Sequence, residues 1–139
     1  MKYRYAVVSG QTNVDGGYTK RPIVEVELSH GNQQRKFLAL IDSGADQIMM
    51  PAAIAEALGI DCEQCPRRTS LGVSMEPIEG FVSHLTFRIA HQVDAFDAPV
   101  VFIDTDVPVL LGREGFFDHY RVKFEQDHDT FEIAAAPGR

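Results

Sequence analysis

The chain has 139 residues, 45% of them hydrophobic and 24% charged, which suits one folded domain and excludes wholesale disorder. Its formal net charge is -7 and its pI about 5.1, so nucleic acid and anionic membranes have no electrostatic support as partners. Two cysteines are too few for a disulfide framework, and no apolar run is long enough to span a bilayer. Lys2 and Arg4 stand where a signal peptide would carry its apolar core, which predicts a cytoplasmic protein.

In chain order, Val24, Val26 and Leu28 alternate with Glu25 and Glu27, the pattern of a strand with one wet face. The run Phe37-Leu38-Ala39-Leu40-Ile41 is continuously apolar and predicts a strand buried on both faces. A helix is expected from Pro51, at its first position, to Leu58, with Gly59 just past its end. Phe81, Ser83, Leu85, Phe87 and Ile89 share one face of a further strand. Val107-Pro108-Val109-Leu110-Leu111 is a second continuously apolar run and ends at Gly112; a short turn follows over Glu114 to Phe117. Tyr120, Val122 and Phe124 then alternate with charged residues, and Gln126 to Asp129 turn the chain back through Phe131 and Ile133 as a hairpin. The sum is a mainly β domain with one or two short helices, a closed barrel or a sandwich.

Each apolar run delivers a polar group at a glycine-containing turn: Asp42-Ser43-Gly44 after the first, Gly112-Arg113 after the second. An acid, a small hydroxyl residue and glycine form an ordinary Asx turn in many proteins. The context is what distinguishes this one: a buried strand before it, Ala45-Asp46 after it, then Ile48-Met49-Met50 and a proline-started helix.

The segment Leu38 to Asp46 resembles the catalytic turn of retroviral-type (retropepsin-like) aspartic peptidases. About sixty-five residues further on, Val109-Leu110-Leu111-Gly112-Arg113 resembles that family's second signature. The continuation Glu114-Gly115-Phe116-Phe117-Asp118 is closest to its bacterial members. The resemblance covers roughly Pro22 to Phe117, and it implies a closed barrel of the acid-protease type. On this reading residues 1–139 form a single domain, with a core over 22–117 and a C-terminal β-hairpin extension over 118–135.

The resemblance implies an aspartic endopeptidase with Asp42 as its catalytic acid. Two carboxylates about 3 Å apart cannot both ionise, so one can activate a water while the other protonates. Only one such triplet occurs here, so the second carboxylate is expected from Asp42 of another copy across a twofold axis. Ser43 and Gly44 match the positions that support the catalytic turns, and Asp46 and Arg113 those of a buried ion pair joining the two signatures. A flap is expected over Thr69 to Phe81, with Gly72 as hinge, Val73 or Met75 covering substrate, and Ala45 binding substrate from below. The expected partners are a second copy and a peptide or protein substrate, with no cofactor, metal, nucleic acid or membrane. A rival reading on the same barrel is a peptide-binding or dimerisation module without useful turnover. Its support is serine in place of the commoner viral threonine at position 43, and a flap tip less rich in glycine than viral ones.

Other clusters point elsewhere less strongly. Cys62-Glu63-Gln64-Cys65 has half the spacing of a zinc site but no second pair, and does not open a helix after a strand. The five histidines show no metal-ligand spacing, and Asp94, Asp97, Asp104 and Asp106 do not match a calcium loop.

Overall fold

The computed structural model of the chain describes residues 1–71 and 75–138. Its strands are β1 (Lys2–Arg4), β2 (Ala6–Thr12), β3 (Tyr18–Arg21), β4 (Ile23–His30), β5 (Gln33–Ile41), β6 (Ile48–Pro51), β7 (Arg67–Leu71), β8 (Pro77–Ile89), β9 (Ala95–Ile103), β10 (Val109–Leu111), β11 (Tyr120–Glu125) and β12 (Thr130–Ala135). One α-helix, α1 (Ala52–Ala57), follows β6.

The main sheet runs β4-β5-β10-β6-β9-β8-β7, and β4 also pairs with β8, so six strands close into a barrel and leave β7 outside it. The length of β8 makes this possible. Its first part, Pro77 to Phe81, pairs with β7, and its last part, Thr86 to Ile89, pairs with β4. Period-two patterning fills the interior: Val24, Val26 and Leu28 of β4 and Leu85, Phe87 and Ile89 of β8 are all buried. The expected mainly β, acid-protease-type barrel with few helices is the observed fold.

Two local expectations change. Pro51 is the last residue of β6 and the N-cap of α1, not its first helical residue; its extended φ and ψ of -62° and 144° hold it in the strand. Gly59 follows the C-cap with a φ of +75°, a left-handed turn that suits glycine. The apolar runs are not buried on both faces. Ala39, Ile41, Val109 and Leu111 point into the barrel, but Leu38 is 67% exposed, and Leu40 and Leu110 are half-buried on the outer face.

Outside the barrel, β1, β12 and β11 form a three-stranded sheet in that order. The hairpin read from the alternation is therefore present, and the N-terminus adds a third strand to it. Its turn is a short 3-10 helix, Gln126–His128, ending at Asp129 with a φ of +53°. Tyr120, Phe131 and Ile133 join the barrel's hydrophobic cluster, while Phe124 is 43% exposed. The strands β2 and β3 make a separate two-stranded ribbon.

Candidate active site

Asp42 and Gly112 are the residues that follow β5 and β10, two parallel neighbours registered Ala39 to Val109, Leu40 to Leu110 and Ile41 to Leu111. The two chain segments leave the barrel side by side, so their turns interlock. The Asp42 amide donates to the Leu111 carbonyl at 3.1 Å, the Arg113 amide to the Ala45 carbonyl at 2.9 Å, and the Glu114 amide to the Asp46 carbonyl at 2.9 Å. Within the first turn, the Ala45 amide donates to the Asp42 carbonyl at 3.2 Å and the Gly44 amide to Asp42 Oδ1 at 2.9 Å. One carboxylate oxygen is thus fixed by its own turn, while the half-buried side chain still faces the cleft.

Glycine at 112 is required by this crossing. A Cβ there would lie 2.2 Å from the Gln47 carbonyl oxygen and 2.8 Å from that of Ala45, both backbone atoms that cannot yield cheaply. Arg113 ties the turns a second time, donating from one nitrogen to the Ser43 carbonyl at 2.8 Å and pairing through the other with Asp46 Oδ1. The planar guanidinium reaches both partners at once through two nitrogens held in a fixed fork. The expected burial of this pair is absent: the Arg113 and Asp46 side chains are 56% and 61% exposed. Ser43 and Gly44 are exposed beside them, so this side of the turn is open, while Asp42 and Ala45 are half-buried.

Asp42 lies in a cleft of about 220 Å³ between this turn and the hairpin of β7 and β8. Gly44, Ala45 and Asp46 line it, and its walls come from Met49, Leu71, Ile78, Ile103, Val107 and Leu110. Leu71 and Ile78 belong to the expected flap and Val107 and Leu110 to the second apolar run, while Ile103 carries no mark in the sequence that would assign it to a cleft. Ser70 also lines the cleft, and its buried hydroxyl has no hydrogen-bond partner among the described residues. The hairpin occupies the expected flap segment, with Leu71 opposite Pro77 and Met75 71% exposed at a φ of +63°. Gly72 and Val73, expected to hinge it and cover substrate, lie outside the described residues.

A larger cleft of about 610 Å³ lies beside α1, lined by Glu56, Asp61, Glu63 and Asp104 among others. Neither turn lines it, so size alone does not locate the chemistry here. Cys62 and Cys65 are both free, and burial, followed by the neighbouring Cys65, Asp61 and Glu63, pushes the Cys62 thiol up, away from its reactive thiolate. Among the described residues, no three His, Cys, Asp or Glu side chains gather as a metal site requires, and no helix is long and apolar enough to cross a membrane.

A closed six-stranded barrel with an Asp-Ser-Gly turn locked against a Gly-Arg turn, under a hairpin, is the architecture of retropepsin-like acid proteases. The aspartyl protease family model matches residues 24–114, and the chain belongs to that family. Among solved structures, a retropepsin-like aspartic protease from Rickettsia conorii is similar at a TM-score of 0.56 and 20% identity, over 96% of this chain and 98% of that one. EIAV protease complexed with the inhibitor HBY-793 is similar at a TM-score of 0.46 and 22% identity, over 74% of this chain and 88% of that one. The likeness to the Rickettsia conorii structure speaks to the fold alone. No curated protein matches the chain.

Proposed function

We propose that the chain is an aspartic endopeptidase active as a homodimer, in which the Asp42 carboxylates of two copies share one proton and activate a water between them. The observation that carries this reading is the placement of Asp42. It sits at the floor of a cleft, on a turn fixed by backbone hydrogen bonds to a neighbouring turn, in a chain with one Asp-Ser-Gly triplet. A lone carboxylate cannot be general base and general acid in the same step, whereas a pair about 3 Å apart can, because repulsion splits its two ionisations. The exposure of Ser43, Gly44, Asp46 and Arg113 supports the same reading, since a face carrying this much fixed polar structure is suited to a second copy.

In this mechanism the peptide lies extended between Asp42 and the hairpin of β7 and β8. Ala45 and Gly44 border the scissile region, while Met49, Leu71, Ile78 and Leu110 receive an apolar side chain. One carboxylate takes a proton from the water as it attacks the carbonyl carbon. The other donates to the carbonyl oxygen, and a second proton transfer releases the amine. Arg113 and Asp46 keep the turn in place and do not touch the reacting atoms. The site acts within the single domain of residues 1–139.

The test combines solution mass with cleavage of a peptide library between about pH 4 and pH 7, the range in which carboxylate dyads titrate. A dimer that cleaves, and an Asp42→Asn variant that folds and dimerises but does not, are the expected results. Cleavage by a strict monomer, or by Asp42→Asn, defeats the proposal.

A further inference from the structure

The ribbon of β2 and β3 has no role in the barrel, in the cleft or in the sheet of β1, β11 and β12. Its turn is well made: the Asn13 amide donates to the Gly17 carbonyl, the Gly17 amide to Asp15 Oδ1 at 2.9 Å, and the Asn13 side chain to the Tyr18 carbonyl at 3.1 Å. Yet from Ser9 to Tyr18 every residue is exposed, including Val14 at the tip, fully so, and Tyr18 at 74%. Val7 nearer the base is 57% exposed. An isolated two-stranded ribbon is marginally stable in water, and Val14 and Tyr18 at its outer end are covered by nothing among the described residues.

The base of the ribbon is anchored at an informative place. Pro22, directly after β3, accepts a hydrogen bond from the Ile41 amide at 3.0 Å, and Ile41 is the residue before Asp42. On its other side, Lys20 pairs with Asp129 at 2.7 Å, and the Tyr5 amide donates to the Asp129 carbonyl at 2.8 Å. The ribbon therefore springs from the edge of the catalytic turn with its root held from two directions. A seven-residue strand such as β2 reaches about 23 Å at about 3.3 Å per residue. A second copy whose Asp42 lies about 3 Å from this one, as a shared dyad demands, comes within that reach.

We propose that the ribbon of β2 and β3 is a dimer clasp, whose outer half, Val14 and Tyr18 foremost, packs on a second copy of this chain. The proposal rests on the homodimeric reading of Asp42, because that reading brings a second copy to the ribbon's root. The clasp supplies interface area beyond the small catalytic turns. It does so from a segment outside the 24–114 span that the family model matches. The bend at Gly10, whose φ is +77° where the pairing of β2 with β3 shifts register, turns the outer half relative to the root.

Two measurements test it. In sedimentation equilibrium of the full chain, Val14→Asp with Tyr18→Asp is expected to raise the dimer dissociation constant by about tenfold or more, with the monomer's melting temperature unchanged. Activity per chain then falls at low concentration and recovers at high concentration. Separately, a benzophenone maleimide coupled to Val14→Cys, in a Cys62→Ser and Cys65→Ser background, is expected to give a dimer-sized photoproduct. An unchanged dissociation constant together with no photoproduct, in a wild type that dimerises and cleaves, overturns the clasp and leaves the peptidase reading standing. A wild type that is monomeric and inactive at every concentration overturns both.

Discussion

The turn that carries Asp42 and the hairpin that covers it are held in opposite ways. The turn is stitched to its neighbour by three backbone hydrogen bonds and by Arg113, around a glycine with no space for a methyl group. The hairpin hangs on the barrel by one strand: among the described residues β7 pairs only with β8, and Leu71 and Met75 near its tip are 58% and 71% exposed. The difference follows from what each region has to do in the proposed mechanism. A general acid and base must be fixed to within a fraction of an ångström, whereas a cover must open for a polymer and close again. Local stability is accordingly spent on the first and withheld from the second.

The comparison breaks most visibly at Asp42 itself. Asp42→Asn is expected to leave the melting temperature nearly unchanged and to lower peptide hydrolysis by roughly 10²–10⁴-fold, read from initial rates on a cleaved library peptide. Retention of turnover would detach the rigid turn from any catalytic purpose.

Next in size is Gly112→Ala. The added Cβ overlaps the Gln47 carbonyl, so unfolding in urea should show a loss of about 3 kcal/mol. An unshifted midpoint would mean that the crossing of the two turns is looser than its hydrogen bonds indicate. Gly80 sharpens the point from the other side. Its Cβ would meet Val101 Cγ1, a side-chain atom, at 2.5 Å and come no nearer than 3.0 Å to backbone, at the Phe102 carbonyl oxygen, so Gly80→Ala should cost less than Gly112→Ala.

In the hairpin, Leu71→Ser should shift stability by no more than about 0.5 kcal/mol, as for other exposed positions. It should still raise KM by roughly tenfold through the lost apolar wall. A large loss of stability with unchanged KM would reverse the assignment of the hairpin as a cover.

Arg113→Lys is expected to cost about 0.5–1 kcal/mol in the single chain, because the pair with Asp46 is exposed and screened. A markedly larger cost at concentrations where the chain dimerises would show that the second copy buries the pair.

The smallest effect concerns the terminal sheet. Burial raises the hydroxyl pKa of Tyr3 and of Tyr120, so both are kept neutral in the fold beyond the ordinary tyrosine value. The sign follows from proton linkage. Their contribution is complete below about pH 10 and is lost as pH rises through the higher folded values. Urea midpoints should therefore fall on the alkaline side, and fall less in Tyr120→Phe.

The linear sequence determined the barrel's inward faces, because a period of two is a property of any strand and needs no knowledge of its neighbour. Val24, Val26, Leu28, Leu85, Phe87 and Ile89 were legible for that reason, and all are buried. It also placed Asp42-Ser43-Gly44 and Gly112-Arg113 at the ends of strands, because glycine and a short acid mark a turn wherever it occurs.

What it could not determine was which strands meet. That β5 and β10 run parallel and side by side is a long-range pairing, and only this pairing makes two separate turns into one site. Burial of the outer faces was undecidable for the same reason. Leu38, Leu40 and Leu110 read as core because an apolar run does not say whether a second layer exists to cover it. The ribbon of β2 and β3 left no mark in the reading, since its residues are mostly polar and its significance lies in where its root is tied. Asp42 was named by the sequence as an acid on a turn. The tertiary structure gave it a cleft, a rigid neighbour and an open face, because those are made by residues far apart along the chain.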